Sequence, residues 1–501
     1  MSTFDDKQPR RIVPRWRDSV ATVVAGELVP FVTGERALPP KPSIEVVERR
    51  LAEWRKNPSV PFAADAVGVA LVSGRPELAR DAATFLLRND KEGTPASRRL
   101  ANVVLGLESF EPGDLAPTLD QTRAAIHRLR VRLRGEPRNS IGWIDLARHY
   151  VVVGLPDKAV DAMRRALALE PDNRFALRSA ARLHLHRRDV EEALRVLRKS
   201  ERTKTDPWLL ASEVAVATVA DRQPRFIKLA RAAVASRSID PKHTSELASA
   251  LATIELREGH RGEARRLFHH ALVSPNENVI AQAEWATQNL PTFHVPKRLL
   301  ERPRSFEARA WEAYRSNRWM ESFNEAMRWQ SDEPFSSRPA RMGTFVGSVL
   351  VQDYVRSEAM ARRALQAWPD DFGMRNNLVF SLASAGQLPK ANVEAAAMKD
   401  ELLADPRNLA VWTATQGLLA FREGSIAKGR ALYNAAIVSL GLQKDADAVA
   451  YAAAFLAREE LLAGTPESIE ALAQARKLAQ GSSSQPLQAV ILGLPTAPVS
   501  R

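Results

Sequence analysis

The chain has 501 residues, no cysteine and a formal net charge of +13, and 45% of its residues are hydrophobic while 6% are aromatic. The absence of cysteine excludes disulfides, thiolate metal ligands and a cysteine nucleophile. The chain has no run of about 18 apolar residues and no segment of secretory form, so we expect a cytoplasmic protein without membrane contacts.

The first 43 residues are rich in proline and arginine and predict an extended or loosely docked arm. One short helix is expected near residues 18–28. The arginines of this arm are candidate contacts for nucleic-acid phosphates: Arg10, Arg11, Arg15 and Arg17.

A repeat of about 34 residues begins near Ser140. Ala147 and Ala159 recur 34 positions later as Ala181 and Ala193. This period is typical of stacked two-helix hairpins, in which small residues allow the two helices to approach closely. Within the first hairpin we expect a glycine turn, a capping carboxylate and a terminating proline, namely Gly154, Asp157 and Pro171.

Weaker copies of the pattern extend over most of the chain, so we predict an all-α protein of roughly ten hairpins. A proline-containing stretch interrupts the pattern once. A Ser/Pro-containing stretch follows the last copy and includes an apolar strand at Leu487–Leu494. The predicted regions are an arm at 1–43, hairpins at 44–288, a break at 289–304, hairpins at 305–480 and a flexible tail at 481–501.

Residues 140–204 closely resemble the tetratricopeptide repeat family, and residues 60–90 and 245–480 resemble it in diluted form. The resemblance implies a right-handed α-solenoid. It also implies a scaffold that binds peptides or partner proteins on its concave face.

By this resemblance, the first helix of each hairpin lines the concave groove. The implied groove residues are Arg148, Arg178, Arg182 and His186. Arg148 and Arg182 lie one period apart, so they would form a cationic ladder suited to an acidic partner. The alternative, which we favour, is a solvated arginine face paired with Asp145, Asp161 and Glu192.

The C-terminal hairpins predict a second groove that combines amides with apolar surface. Its candidate residues are Asn376, Asn377, Phe380, Leu418 and Phe421. Such a groove could hold a peptide through its main chain. The alternative, which we favour, is that the two phenylalanines are buried between hairpins, as large apolar side chains usually are.

Positive charge is concentrated in residues 121–204, which hold 20 Lys and Arg against 10 Asp and Glu. The densest stretch offers possible phosphate contacts at Arg128, Arg130, Arg132 and Arg134. No aromatic residues alternate with these arginines to stack on bases. A solvated helix is therefore the simpler interpretation.

No motif for phosphate-loop, zinc-protease or serine-hydrolase chemistry occurs. We therefore expect no catalytic residues, no metal and no cofactor. The sequence favours a non-enzymatic scaffold that binds a protein or peptide partner. Two alternatives remain: a nucleic-acid-binding solenoid that uses residues 121–204, and a regulatory subunit of a separately encoded effector enzyme.

Overall fold

The computed structural model describes residues 13–17, 42–89, 95–105, 118–236 and 238–495. All regular structure in these ranges is helical, with 26 α-helices, which confirms the all-α prediction. The chain forms two compact units, one of Val20–Leu115 and one of Met1–Ser19 with Ala116–Arg501. The predicted helix near residues 18–28 lies outside the described residues.

The smaller unit contains four α-helices in its described part. They are α1 Ile44–Lys56, α2 Val60–Ser73, α3 Arg80–Arg88 and α4 Pro95–Leu105. Its core is built around Val47, Val67 and Leu86. Trp54 packs edge-on against Phe85, with ring centroids 5.8 Å apart.

The larger unit contains the remaining helices, most of them in consecutive antiparallel pairs. Its first half comprises α5 Leu119–Gly135, α6 Ser140–Val152, α7 Pro156–Leu169, α8 Arg174–His186, α9 Val190–Lys199, α10 Pro207–Val219, α11 Ile227–Ala235, α12 Pro241–Arg257, α13 Arg261–Ala271 and α14 Glu277–Ala286.

The second half of the larger unit contains one π-helical segment, Val346–Val351, between two α-helices. Its α-helices are α15 Lys297–Leu300, α16 Phe306–Arg315, α17 Trp319–Asp332, α18 Ser337–Phe345, α19 Tyr354–Ala367, α20 Phe372–Ser384, α21 Leu388–Ala396, α22 Pro406–Arg422, α23 Ile426–Leu442, α24 Ala446–Ala463, α25 Ser468–Ala479 and α26 Gln485–Leu492.

The repeated alanines hold the hairpins together as expected. Ala147, Ala159, Ala181 and Ala193 are each 0% exposed, at the contacts within the α6–α7 and α8–α9 pairs. Since no side chain larger than a methyl group could fit there without moving the helices apart, these positions set the spacing of each pair.

The turn between α6 and α7 differs in one detail from the prediction. Gly154 adopts the expected left-handed conformation, with φ of 73°. Asp157, however, does not cap α7, because Pro156 already occupies the first helical position and Leu155 precedes it. The carboxylate of Asp157 instead pairs with Arg187 across the neighbouring turn at 3.3 Å. Helix α7 ends at Leu169, shortly before Pro171.

The predicted break at 289–304 differs from the structure. The stretch 289–304 does not divide the hairpins, because Ile280 and Ala281 of α14 pack directly against Ala308 of α16. The boundary between compact units instead follows Leu115.

The predicted flexible tail contains helix α26, and the apolar strand expected at Leu487–Leu494 is wrong. The apolar side chains of this segment are spaced to cover one helical face, with Leu487 at 0% and Ile491 at 8% exposure. Among the described residues, the search for a helix with the length and hydropathy of a membrane span finds none.

Candidate functional site

Residues 13–17, here called the arm segment, lie in the larger unit without regular secondary structure. The Nδ2 group of Asn278 donates a hydrogen bond to the Val13 carbonyl at 2.9 Å. The Nε group of Arg148 donates one to the Trp16 carbonyl at 3.2 Å. Helices α14 and α6 therefore both bind the main chain of this segment, independently of its side chains.

Four carboxylates surround the two arginines of the arm segment. They belong to Glu277, Glu307, Asp332 and Glu333, and we call them the acidic cluster. They come from α14, α16 and the end of α17, so three helices contribute to one cluster.

Arg15 contacts three members of the acidic cluster. One of its terminal nitrogens lies 2.7 Å from Glu307, whose side chain is 1% exposed. The other terminal nitrogen lies 3.7 Å from Asp332 and 3.9 Å from Glu333. Since the Arg15 side chain is only 8% exposed, these ion pairs are screened little by solvent.

Arg17 connects the remaining carboxylate to the cluster. Its guanidinium lies 2.6 Å from Glu277 and 2.7 Å from Asp332. Asp332 thus contacts both arginines of the arm segment. A planar guanidinium that contacts two carboxylates requires defined geometry, which a lysine ammonium would not reproduce.

The electrostatics of the cluster favour charge on both sides of these pairs. Burial opposes the charge of Arg15, but Glu333, Glu307 and Glu277 outweigh it and raise the Arg15 pKa. Burial likewise opposes ionisation of Glu277, but Arg17 and Arg15 outweigh it and lower the Glu277 pKa. The ion pairs therefore remain charged despite their burial.

Trp16 occupies an aromatic slot between the two arginines. Its side chain is 0% exposed and its ring lies 5.7 Å from that of Phe335. The guanidinium of Arg182 stacks over the same Phe335 ring at 5.0 Å. Packing against Phe335 therefore holds the indole, and the cation–π contact of Arg182 supports Phe335.

The slot is closed by contacts between distant parts of the chain. His186 lies 4.2 Å from Trp368, and the Trp368 indole donates a hydrogen bond of 2.7 Å to the Phe335 carbonyl. Arg148 also donates to the Asp332 carbonyl, 184 residues away in sequence. Burial, with a smaller contribution from Arg182, lowers the pKa of His186 to about 3, so the imidazole is neutral at physiological pH.

Three of the four predicted N-terminal groove residues lie together at this site: Arg148, Arg182 and His186. Arg178 lies apart from them and pairs with Glu246 at 2.7 Å. Both arginines of the predicted cationic ladder, Arg148 and Arg182, lie over the Phe335 ring. The acidic cluster next to it, however, binds cations, so the arm site as a whole does not suit the acidic partner that such a ladder alone would favour.

The solvated arginine face that we favoured is not what the structure shows at Arg148, which is 8% exposed. Asp161 and Glu192 do pair with arginines, but with Arg164 and Arg195 of their own helices.

The second predicted groove is wrong, because its residues are packed between helices. Asn376, Asn377, Phe380, Leu418 and Phe421 are all buried, at 0% to 7% exposure. The two amides bond to the hydroxyls of Thr415 and Thr344 in adjacent helices. The phenylalanines therefore belong to the core, as the alternative interpretation held.

The predicted phosphate contacts are placed in two different settings. Arg128, Arg130, Arg132 and Arg134 are all exposed on helix α5, where Arg132 pairs with Glu136 at 2.9 Å. Arg15 and Arg17, in contrast, contact carboxylates and not solvent. Arg10 and Arg11 lie outside the described residues.

Sequence reasoning missed Trp16, Phe335 and the whole acidic cluster. The Pro-Arg-Trp-Arg sequence at residues 14–17 was the one local signal, since a tryptophan between two arginines is unusual in a solvated arm. The four carboxylates gave no signal, because they come from three helices that are separated in sequence and only the fold brings them together.

One cluster in the described ranges has groups of the kind that bind metals. Ligand atoms of Glu255, Glu258 and His260 lie within 4.8 Å of one another. Glu255 is already paired with Arg231 at 2.7 Å, which lowers its capacity as a ligand. The cluster lies at the end of helix α12 and shares no residue with the arm site.

Comparisons with known proteins add little to this description. No family model matches the chain, and no curated protein matches it in sequence. Among solved structures, a chain from the structure of Naa15/Naa10 bound to HypK-THB is 15% identical, over 85% of this chain and 70% of that one, with a TM-score of 0.22. A similarity this low supports no argument about function.

Proposed function

We propose that the protein is a non-catalytic scaffold, built from hairpins of the tetratricopeptide type, that binds a segment of a partner protein at the arm site. The observation that carries this proposal is the arm segment itself. Five extended residues are held there through main-chain carbonyls, paired guanidiniums and a buried indole. These are the contacts by which grooves bind extended peptides.

The assignment to tetratricopeptide-type hairpins rests on the agreement between period and packing. The alanines that recur at 34 residues are fully buried at the same places in the α6–α7 and α8–α9 pairs. A scaffold of this type could serve as an adaptor or as the regulatory subunit of a separately encoded enzyme.

Site-specific photo-crosslinking in the native host tests the proposal. A photoreactive residue at Arg338, whose side chain is 38% exposed and contacts Glu307, should form a covalent adduct with a partner polypeptide. The matched control is Val438, which is 63% exposed on helix α23. No adduct from position 338, or equal adducts from both positions, would contradict binding at the arm site.

Nucleic-acid binding remains a second candidate because four exposed arginines share helix α5. Much of the remaining positive charge in 121–204 is neutralised by carboxylates of later helices, as in the Arg198–Glu213 pair at 2.7 Å. If generic RNA or DNA binds, the affinity should fall steeply with salt. Replacing Arg128, Arg130 and Arg134 with alanine should then reduce that dependence, and no binding at low salt would exclude this candidate.

A further inference from the structure

The arm site has the chemistry of a binding site whose resident ligand is part of the same chain. The acidic cluster contains four carboxylates, and the arm segment supplies two of the cations that face them. Without Arg15 and Arg17, these carboxylates would repel one another in a poorly solvated space. Any occupant must therefore bring positive charge to this position.

The aromatic slot adds a second requirement. The indole N–H of Trp16 has no hydrogen-bond partner within the described part of the chain. The slot therefore binds the ring by packing against Phe335 and not by a hydrogen bond to the indole N–H. An occupant needs a flat aromatic side chain between its two cations.

The main-chain contacts add no preference for a particular sequence. Asn278 and Arg148 donate to carbonyls that every peptide has. Recognition therefore depends on three consecutive side chains in the order arginine, aromatic residue, arginine.

We propose that the arm segment is an intramolecular stand-in for an Arg-aromatic-Arg segment of a partner protein, which displaces it from the arm site. This inference rests on the proposed function and specifies its partner. Covalent attachment gives the arm segment a high effective concentration at the site. A partner must therefore bind through additional contacts, or reach a high local concentration, before it replaces the arm.

The inference is tested with the full chain in which the arm segment is weakened. In the triple variant Arg15→Ala/Trp16→Ala/Arg17→Ala, a fluorescein-labelled peptide with the sequence of residues 9–21 should bind, as measured by fluorescence anisotropy. The affinity should exceed that of the wild-type chain at least tenfold, because the wild-type arm competes. The same peptide with its three key residues replaced by alanine should not bind.

Two protein controls accompany this measurement. Asp332→Asn in the triple variant should weaken peptide binding, because Asp332 contacts both arginines. Arg128→Ala/Arg130→Ala in the triple variant, which changes exposed arginines of helix α5, should leave peptide binding unchanged. Equal peptide affinity of the wild type and the triple variant would overturn the inference. So would a triple variant that is folded, by circular dichroism, and does not bind.

A second experiment applies if the triple variant does not fold. A protease site inserted between residues 30 and 31 of the otherwise unchanged chain allows the arm to be cut after folding. Excess unlabelled peptide should then release the labelled N-terminal fragment while the helical signal persists. Retention of the fragment, or unfolding on its release, would show that residues 13–17 are a structural part of the fold.

Three further outcomes separate this inference from its rivals. A dimer of the full chain in which arms are exchanged would assign the site to a second copy and overturn the inference. Partner crosslinking at position 338 without peptide competition would overturn the inference but leave the proposed function standing. Peptide competition without any partner crosslink would contradict the proposed function and, with it, the inference.

Discussion

The arm site and the C-terminal hairpins both contain buried amides and aromatic rings, but they use them differently. At the arm site, Asn278 donates to a carbonyl of the arm segment, and Phe335 packs on Trp16. In the C-terminal hairpins, Asn377 donates to Thr344 of a neighbouring helix, and Phe380 packs edge-on against Phe455 at 5.2 Å.

The difference shows that residue type alone does not make a binding surface. In the C-terminal hairpins, helix α24 packs against Phe380 through Phe455 and fills the space in front of it. At the arm site the corresponding space is filled by a segment that is not part of any hairpin. A site exists where the stacked helices leave a gap that another segment can enter.

The largest expected effect is a difference in stability loss between a residue of the helical core and a residue of the arm segment. Phe380→Ala should lower the free energy of unfolding by about 3 to 5 kcal/mol, because it opens a cavity in a core that cannot collapse. Trp16→Ala should cost less than half as much, because the arm segment can leave its site and water can enter. Thermal and chemical denaturation measure both. Equal losses would show that the two regions do not differ in this way.

A smaller effect is expected from the ion pairs of the arm site. A double-mutant cycle combines Arg15→Ala in the 9–21 peptide with Glu307→Gln in the triple-variant protein. The coupling energy between these two changes should be about 2 kcal/mol. The Arg17→Ala peptide is the matched control, since Arg17 contacts Asp332 and Glu277 instead. Its effect should add to that of Glu307→Gln, and strong coupling there would contradict the geometry.

The close approach of the turn between α6 and α7 to the end of helix α19 can be tested through two glycines. A Cβ at Gly154 would lie 2.3 Å from the Gln366 carbonyl, whereas a Cβ at Gly386 meets nothing within 4 Å, and both glycines have a φ near +74°. Gly386→Ala should cost about 1 kcal/mol through backbone strain alone. Gly154→Ala should cost about twice that, with a lower peptide affinity, and equal costs would argue against the close approach.

The smallest effect concerns pH. Because the pKa of His186 falls to about 3 in the folded protein, protons bind the unfolded chain preferentially once the pH falls below the usual histidine value. Stability from this group is complete above about pH 6.5 and is lost as the pH falls towards 3. Between pH 7 and pH 5 the loss is on the order of 1 kcal/mol.

His186→Gln should therefore show a smaller decrease in melting temperature between pH 7 and pH 5 than the wild type does. The matched control is His127→Gln on helix α5, where the side chain is exposed. If both variants follow the wild-type profile, His186 does not contribute to the acid sensitivity.

The hairpins could be predicted because residues close together in the sequence determine them. Ala147 and Ala159 recur one period later, and close helix packing requires small residues there wherever the rest of the chain lies. Helix α26 was also predictable in principle. Ser484 accepts a hydrogen bond from the Leu487 amide and Pro486 lies in the first turn, which is a standard helix start.

The arm site could be predicted only in part. The positions of Arg148 and Arg182 followed from the repeat, but their surroundings did not. Glu307, Asp332 and Phe335 come from hairpins far along the chain, and the repeat pattern does not show which hairpins meet. The sequence therefore showed the arginines of the site but not the carboxylates that oppose them.

The approach of Gly154 to Gln366 also constrains how this chain can change in evolution. Repeat arrays generally gain and lose units easily, because each unit contacts only its neighbours. Here a turn near the beginning of the array touches the end of helix α19, so a duplicated or deleted hairpin between them would pull that contact apart. The number of units across this stretch should therefore be invariant in descendants that keep this contact.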